Sequence, residues 1–322
     1  MELIFMGTPS FAVPILSSLI KSRHNVVAVV TQPDRPKGRS SKLVQSPVKV
    51  LAAENNLVIF QPENINKDDR VISSLKNSRA DLVITAAFGQ IVSRQILSIP
   101  KKECINIHTS LLPKYRGAAP INRAIINGES ETGVSIINMT EALDAGDIVA
   151  SDTTRISPDE NAEELEERLA GIAVELLQKV IDSFEKNSVK YRCQDEGLVT
   201  YASKLEKGEG AINWNGSSES IHNLIRGLIP WPCAYSFLQK RESNTKKRII
   251  IKKSCLKCED EIIVNKQPGT INKTGEKGML VSTYNGGIWI NVLQPEGKRV
   301  MDAKDFINGY NIEVGDTFTI KT

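Results

Sequence analysis

The sequence predicts an α/β chain: a mostly parallel sheet with helices on its faces, followed by a small β-barrel. Three observations carry that expectation. Short β-branched runs alternate with amphipathic segments through the first half of the chain. An apolar stripe at helical spacing closes that half, and beyond it short strands separated by Gly and Asn turns take over. At 322 residues the chain has room for two cores that need neither disulfides nor metals to hold them.

In chain order, strands are expected at Leu3 to Met6, Val26 to Val30, Val58 to Phe60, Leu82 to Thr85, Ile105 to His108 and Val134 to Met139. Helices are expected between them at Ser10 to Lys21, Pro47 to Asn55, Asp68 to Asn77, Val92 to Leu97 and Ala119 to Asn127. Ser46-Pro47 reads as a helix start, because Ser can cap orphan amides and Pro suits the first turn. A longer helix, Asp159 to Lys186, is expected to open on a capping box formed by Ser157 and Glu160. Leu165, Leu169, Ile172, Leu176, Val180 and Phe184 give it a core-facing stripe. The periodicity then breaks, so 1–187 reads as one domain, 188–207 as a linker and 208–322 as the second domain. The second domain is expected to hold one helix, Ser217 to Leu228. Its strands are expected at Ala234 to Leu238, Arg248 to Ile251, Gly269 to Ile271, Met279 to Ser282, Gly287 to Val292 and Thr317 to Lys321. A barrel of the oligonucleotide-binding kind is one candidate for them.

Composition narrows the class. Hydrophobic residues make up 40% and charged residues 25%, and no apolar run approaches the ~20 residues of a membrane span. The opening MELIFM enters a strand-like run at once, so a cytoplasmic protein without a leader is expected. The five cysteines are scattered and the lone CxxC, Cys255 to Cys258, has no second pair or nearby His, so no metal is expected. Net charge is +3 but uneven: residues 1–203 sum to −2 and residues 204–322 to +5. The positive field belongs to the second half.

Met6-Gly7-Thr8-Pro9 follows the first strand but lacks the later glycines of a dinucleotide loop, which disfavours nicotinamide chemistry. No GxSxG elbow is present either. What remains is Asn106-Ile107-His108, where alternation sends Asn106 and His108 to one face at the carboxyl end of a strand. A parallel sheet places its ligand crevice there. Alone, such a pair can simply end a strand, and Leu143-Asp144-Ala145-Gly146-Asp147 can be an ordinary turn. Together with the Ser110 to Pro113 loop and Arg116, they suit direct transfer of an acyl group to an amine. Asn106 and a charged His108 would donate to the oxyanion; Asp144 would hold His108 and take a proton from the amine.

Several stretches resemble the methionyl-tRNA formyltransferase family, within the wider folate-dependent formyltransferases. They are MGTPSFA, TQPDRPKGR, SPVK, QPENI, INIHTSLLPKYRGAAPIN, ETGVSI, LDAGDI, LVTYASKLEKGEGAINW, PWP at Pro230 to Pro232, and LQPEGKRVM. The resemblance implies a Rossmann-like formyltransferase domain with Asn106, His108 and Asp144 as the catalytic trio. It implies a folate loop at Ser110, Leu111, Leu112 and Pro113, with Phe88, Gly89 and Ile91 lining the pterin pocket. The donor would be 10-formyltetrahydrofolate and the acceptor the methionine α-amino group on initiator methionyl-tRNA; apart from the resemblance, a monomer is the default expectation and composition suggests no membrane partner. Thr109 stands where the family tends to carry a small residue, and Ile229 where Asn often precedes PWP.

For the tRNA, the connection from Thr31 to Gln45 carries Arg35, Lys37, Arg39 and Lys42, and the resemblance sends it to the acceptor stem. A second basic stretch contains Lys246, Lys247 and Arg248, which alternation would array for phosphates. Two rival readings stand beside this one: a formyltransferase acting on an amino sugar or a glycinamide, and a nucleic-acid-binding module on a degenerate α/β scaffold.

Overall fold

The structure, a computed structural model, describes residues 1–36, 43–241, 245–256, 262–265 and 267–320. It divides into two compact units, 1–120 with 131–154 and 166–202, and 121–130 with 155–165 and 203–322.

The first unit is built on β1 (Glu2–Gly7), α1 (Ala12–Ile20), β2 (Asn25–Val30), the antiparallel pair β3 (Arg35–Pro36) and β4 (Leu43–Val44), α2 (Pro47–Glu54) and β5 (Ile59–Phe60). It continues through α3 (Asp69–Asn77), β6 (Leu82–Ala86), α4 (Arg94–Leu97), β7 (Glu103–His108) and β8 (Arg116–Gly117). α5 (Pro120–Ile126) comes next in the chain and belongs to the second unit from Ile121 on, and β9 (Glu131–Asn138), β10 (Ile148–Arg155), α6 (Ala162–Glu185, its first turn in the second unit) and β11 (Tyr201–Ala202) follow. The main sheet runs β10-β9-β7-β6-β1-β2-β5. β5, β2, β1, β6 and β7 are parallel, and β9 returns antiparallel to β7. Every residue of β6 is buried, as expected for a strand covered on both faces. Ile4, Met6, Val30, Ile72, Leu75 and Val83 form part of the core beneath the helices.

Caps explain where the helices begin. Ser46 Oγ accepts from Lys49 N at 3.1 Å with Pro47 at the first position of α2, and Asp68 Oδ1 accepts from Val71 N at 3.1 Å at the start of α3. The long helix begins later than its sequence predicts. Asn161 Oδ1 accepts from Glu163 N and Glu164 N, while Asn161 N donates to Glu164 at 2.9 Å. That second capping box starts α6 at Ala162, and the Ser157 to Glu160 pair closes only a preceding turn. Strand β10 lies in a stretch that the sequence leaves unassigned. It is an edge strand whose alternate residues are exposed, so its polar Ser, Asp and Thr content masks it.

The second unit contains α7 (Ser218–Gly227), β12 (Ala234–Gln239), β13 (Lys246–Leu256), β14 (Ile271–Gly275), β15 (Gly278–Thr283) and β16 (Gly286–Pro295). It ends with β17 (Met301–Asp302), α8 (Ala303–Tyr310) and β18 (Thr317–Thr319). The antiparallel sheet runs β14-β15-β16-β13-β12-β18 and curls until its edges meet. There Ile271 N donates to Asp316 O at 2.9 Å and Phe318 N to Gly269 O at 2.7 Å. Trp214, Ile249, Ile251, Ile288, Phe306 and Phe318 fill the interior. The sequence reading places no helix at α8. Its apolar Ala303, Phe306, Ile307 and Tyr310 have helical spacing, but the segment is eight residues long and Gly309 weakens its signal.

Candidate active site

Strand β7 pairs with β6 on one side and β9 on the other, so its last residues are fixed in depth by two ladders. Its pleat sends Asn106 and His108 to the same face, where both meet Asp144. Asn106 Nδ2 donates to Asp144 Oδ1 at 3.3 Å, and the His108 Nδ1 to Asp144 Oδ2 distance is 3.6 Å. Behind Asn106, Thr85 Oγ1 lies 2.9 Å from its Oδ1, which leaves the amide hydrogens facing Asp144. The imidazole of His108 is buried, and its Nε2 lies 2.8 Å from Tyr115 O. A carbonyl can only accept, so Nε2 carries a hydrogen and Nδ1 is the nitrogen turned toward the carboxylate.

Asp144 is positioned by its turn. It adopts a left-handed backbone with φ 48°. Two residues on, a Cβ at Gly146 would lie 1.6 Å from Asn138 O, so only glycine lets the turn close against β9. The second carboxylate oxygen accepts from Gly117 N at 2.8 Å. Gly117 has φ 124°, and a Cβ there would lie 2.7 Å from Ala202 O. The β8 and β11 pairing that makes this approach so close thus delivers an amide to the site.

The Ser110 to Pro113 loop leaves the carboxyl end of β7. Ser110 is fully buried and its hydroxyl donates to Lys114 O at 2.6 Å, so it closes the loop on itself. Ser135 on β9 braces the loop, donating to Ser110 O at 2.8 Å while accepting from Leu112 N at 3.1 Å. Leu112 packs with Ile137 and Ile148, and Leu111 and Pro113 are half-buried. The Phe88 to Ile91 loop leaves the adjacent parallel strand β6 and therefore the same sheet edge. The Phe88 side chain belongs to the core, and its carbonyl accepts from Thr8 Oγ1 at 3.0 Å and Gln32 Nε2 at 3.1 Å. Gly89, with φ 84°, and Ile91 are exposed.

Arg116 does not reach Asp144. It is buried beside Gln194 and Glu196, with Nη2 to Gln194 Oε1 at 2.9 Å and to Glu196 Oε1 at 2.8 Å. Cys104 lies two residues before Asn106, but burial pushes its thiol up to about 12, so it offers no nucleophile. Sequence reasoning missed Tyr115, Gly117 and Gln194. The first two act through backbone atoms, which no side-chain pattern reveals.

Of the candidate tRNA contacts, Lys37, Arg39 and Lys42 lie outside the described residues, as does Cys258 of the CxxC. Arg35 is exposed and pairs with Glu63. Lys246, Lys247 and Arg248 do not share one face. Arg248 lies over the Tyr235 ring at 4.0 Å, whereas Lys247 has the parity of the buried Ile249 and Ile251 and lies over Tyr310 at 4.2 Å. Among the described residues no cluster of three or more His, Cys, Asp or Glu could hold a metal ion, and no helix is long and apolar enough to cross a membrane.

An Asn, His and Asp cluster at the carboxyl end of a mostly parallel sheet, in a chain that continues into a small barrel, is an arrangement that suits group transfer. Residues 1–181 match the family described as formyl transferase and residues 204–311 its C-terminal domain. Curated relatives named methionyl-tRNA formyltransferase include those of Clostridium acetobutylicum, 45% identical over 98% of each chain, and Thermodesulfovibrio yellowstonii, 44% identical over 98% of this chain and 99% of that one. The chain belongs to the formyl transferase family, among its methionyl-tRNA formyltransferases. The fold is shared with the sugar 3N-formyl transferase WlaRD at TM-score 0.65 and 23% identity, covering 93% of this chain and 99% of that one. It is shared also with HypX from Aquifex aeolicus, solved with tetrahydrofolic acid, at TM-score 0.65 and 16% identity, covering 99% of this chain and 50% of that one.

Proposed function

We propose that this enzyme transfers the formyl group of 10-formyltetrahydrofolate to the α-amino group of methionine on initiator methionyl-tRNA, for the start of translation. The observation that carries this reading is the meeting of Asn106 and His108 on Asp144. Asn106 Nδ2, turned outward from Thr85, supplies a hydrogen-bond donor for the oxyanion that develops as the amine adds to the formyl carbon. Asp144 receives the amine proton, with His108 Nδ1 beside it, and the adduct collapses by breaking the bond between the formyl carbon and the folate nitrogen, which takes up that proton and leaves as tetrahydrofolate. His108 holds its ring plane through Tyr115 O, so it enters the reaction already oriented. Because Nε2 is engaged, any donation by this imidazole to the oxyanion comes from Nδ1.

The folate supplies the activated one-carbon unit. In this reading Ser110 to Pro113 and Phe88 to Ile91 hold it, because both loops leave adjacent strands at one sheet edge. Gly89 and Ile91 contribute exposed surface, and Phe88 contributes its backbone rather than its ring. The connection after β2 leaves the same edge, which suits Arg35, Lys37, Arg39 and Lys42 to the acceptor end of the tRNA. The net +5 of residues 204–322 suits Lys246 and Arg248, on the outward face of β13, to the tRNA backbone. The enzyme works as a monomer in the cytoplasm in this reading.

The test is direct. The protein is incubated with 10-formyltetrahydrofolate and, in separate arms, charged initiator methionyl-tRNA, free methionine or an amino-sugar nucleotide, and formyl transfer is followed. Product on the charged tRNA alone is expected. Product only on the amino sugar would replace the acceptor, and no turnover in any arm would remove the reaction.

A further inference from the structure

We infer that Gln194 is a positioning residue that fixes the Asp144 turn against the 115–117 loop. The segment from 191 to 198 is otherwise exposed, yet Gln194 within it is half-buried and every end of its amide is used. Its Nε2 donates to Asp144 O at 2.7 Å and to Gly146 O at 2.7 Å. Its Oε1 accepts from Arg116 Nε at 3.1 Å and from Arg116 Nη2 at 2.9 Å. Two donors and two accepted bonds exhaust a primary amide in the plane.

These partners are not arbitrary. Arg116 lies between Tyr115, whose carbonyl holds His108, and Gly117, whose amide holds Asp144. The carbonyls of Asp144 and Gly146 belong to the left-handed turn that aims the carboxylate. One side chain therefore sets the spacing between the loop that orients the imidazole and the turn that carries the proton acceptor. The segment bearing Gln194 is itself tied down. Arg192 exchanges backbone bonds with Ile148 at 2.8 and 2.9 Å, Thr200 Oγ1 accepts from Tyr115 N at 2.8 Å, and Ala202 pairs with Gly117. The guanidinium has a second partner in Glu196, but that carboxylate is 73% exposed and holds little by itself. A misplacement near 1 Å at a reacting group costs on the order of 10²-fold in rate.

The inference rests on the reading of Asp144 as the proton acceptor, and the experiment separates the two. Gln194→Glu keeps the acceptor for Arg116 and the shape of the side chain but removes both N–H donors; Gln194→Leu removes everything. Both variants are expected to lose about 10 to 10²-fold in kcat, with KM for 10-formyltetrahydrofolate and for methionyl-tRNA unmoved. The Gln194→Glu protein should melt below the parent, because carboxylate oxygen then faces the Asp144 and Gly146 carbonyls, and still be fully folded at the assay temperature. A Gln194→Glu enzyme with parental kcat would overturn the inference, since the segment would then need only its bond to Arg116. A loss of rate matched by an equal loss of folded protein would overturn it too. Asp144→Asn is run alongside. If that variant is fully active, the reading of the site fails, whereas an inactive Asp144→Asn beside a parental Gln194→Leu sinks only the role of Gln194.

Discussion

Two buried histidines, one in each unit, look alike by burial and hydrogen bonding and differ in what surrounds them. His108 is 6% exposed and His222 4% exposed, and both ring nitrogens of each have a polar neighbour. His222 lies between Ser254 Oγ at 3.0 Å and Pro158 O at 3.1 Å, joining α7 to β13 and to the turn before α6. Its carboxylate neighbour, Asp159 at 3.3 Å, is 72% exposed. For His108 the carboxylate is 11% exposed and is itself held by Gly117 N and Asn106. Satisfied burial therefore does not mark a reacting group. The proposed role of His108 rests instead on a second polar side chain and a constrained carboxylate at the carboxyl end of a parallel strand.

The largest effect should fall on rate in the first unit. Asp144→Asn should lower kcat by about 10²- to 10⁴-fold, the range for removing a general base. Asn106→Ala should lower it by about 10²- to 10³-fold, the cost of one oxyanion donor, both read by single-turnover formylation with unchanged melting curves. A parental rate in either would erase the contrast with the second unit. Next comes His222→Ala, which leaves Ser254 and Pro158 O without their imidazole partner. Denaturant unfolding should show a loss of about 1 to 3 kcal/mol, while kcat per folded molecule stays constant. A fall in kcat without a fall in stability would mean that the two histidines are not different in kind.

Acidification should sharpen the comparison further. Burial, the largest cause, holds His222 below its ordinary value of 6.5 against the hydrogen bond to Pro158 O, with Arg226 pushing the same way as burial and Asp159 and Glu219 opposing. The folded state thus binds fewer protons than the unfolded chain, so stability is complete above 6.5 and is lost as pH falls from there toward the lowered value. His24 in the first unit is lowered too, by burial and then by the Met1 ammonium, and acts in the same direction. The difference between the parent and His222→Gln isolates the second unit, and the variant should have the flatter stability profile as pH falls below 6.5. The smallest effect should come from the outward face of β13. Lys246→Ala with Arg248→Ala should weaken tRNA binding and reduce its salt slope by about one per lost phosphate contact, with folate binding intact. An unaltered slope would remove those side chains from the interface.

Much of the first sheet was legible because strands covered on both faces read as short, near-continuous β-branched runs. Asn106 and His108 declared their common face through Ile107 alone, and Ser46-Pro47 its helix through cap chemistry. Gly146 was visible as a turn residue, although its necessity comes from Asn138 O, a contact across the sheet that no local pattern contains. Gln194 sits in a polar stretch with no period, so its side chain reads like any solvated amide. Alternation was applied to Lys246, Lys247 and Arg248 as a group, although adjacent strand residues take opposite faces and Lys247 falls with Ile249 and Ile251. Phe88 was read toward the ligand on family likeness, while its apolar character already favoured the core.

The left-handed backbone at Asp144 bears on how this pocket can be probed. Most residues resist that conformation, but Asn and Asp enter it several-fold more readily than others. An exchange of Asp for Asn therefore swaps a carboxylate for an amide without asking the chain to turn differently, and it separates chemistry from conformation. Val or Ile at the same position would confound the two.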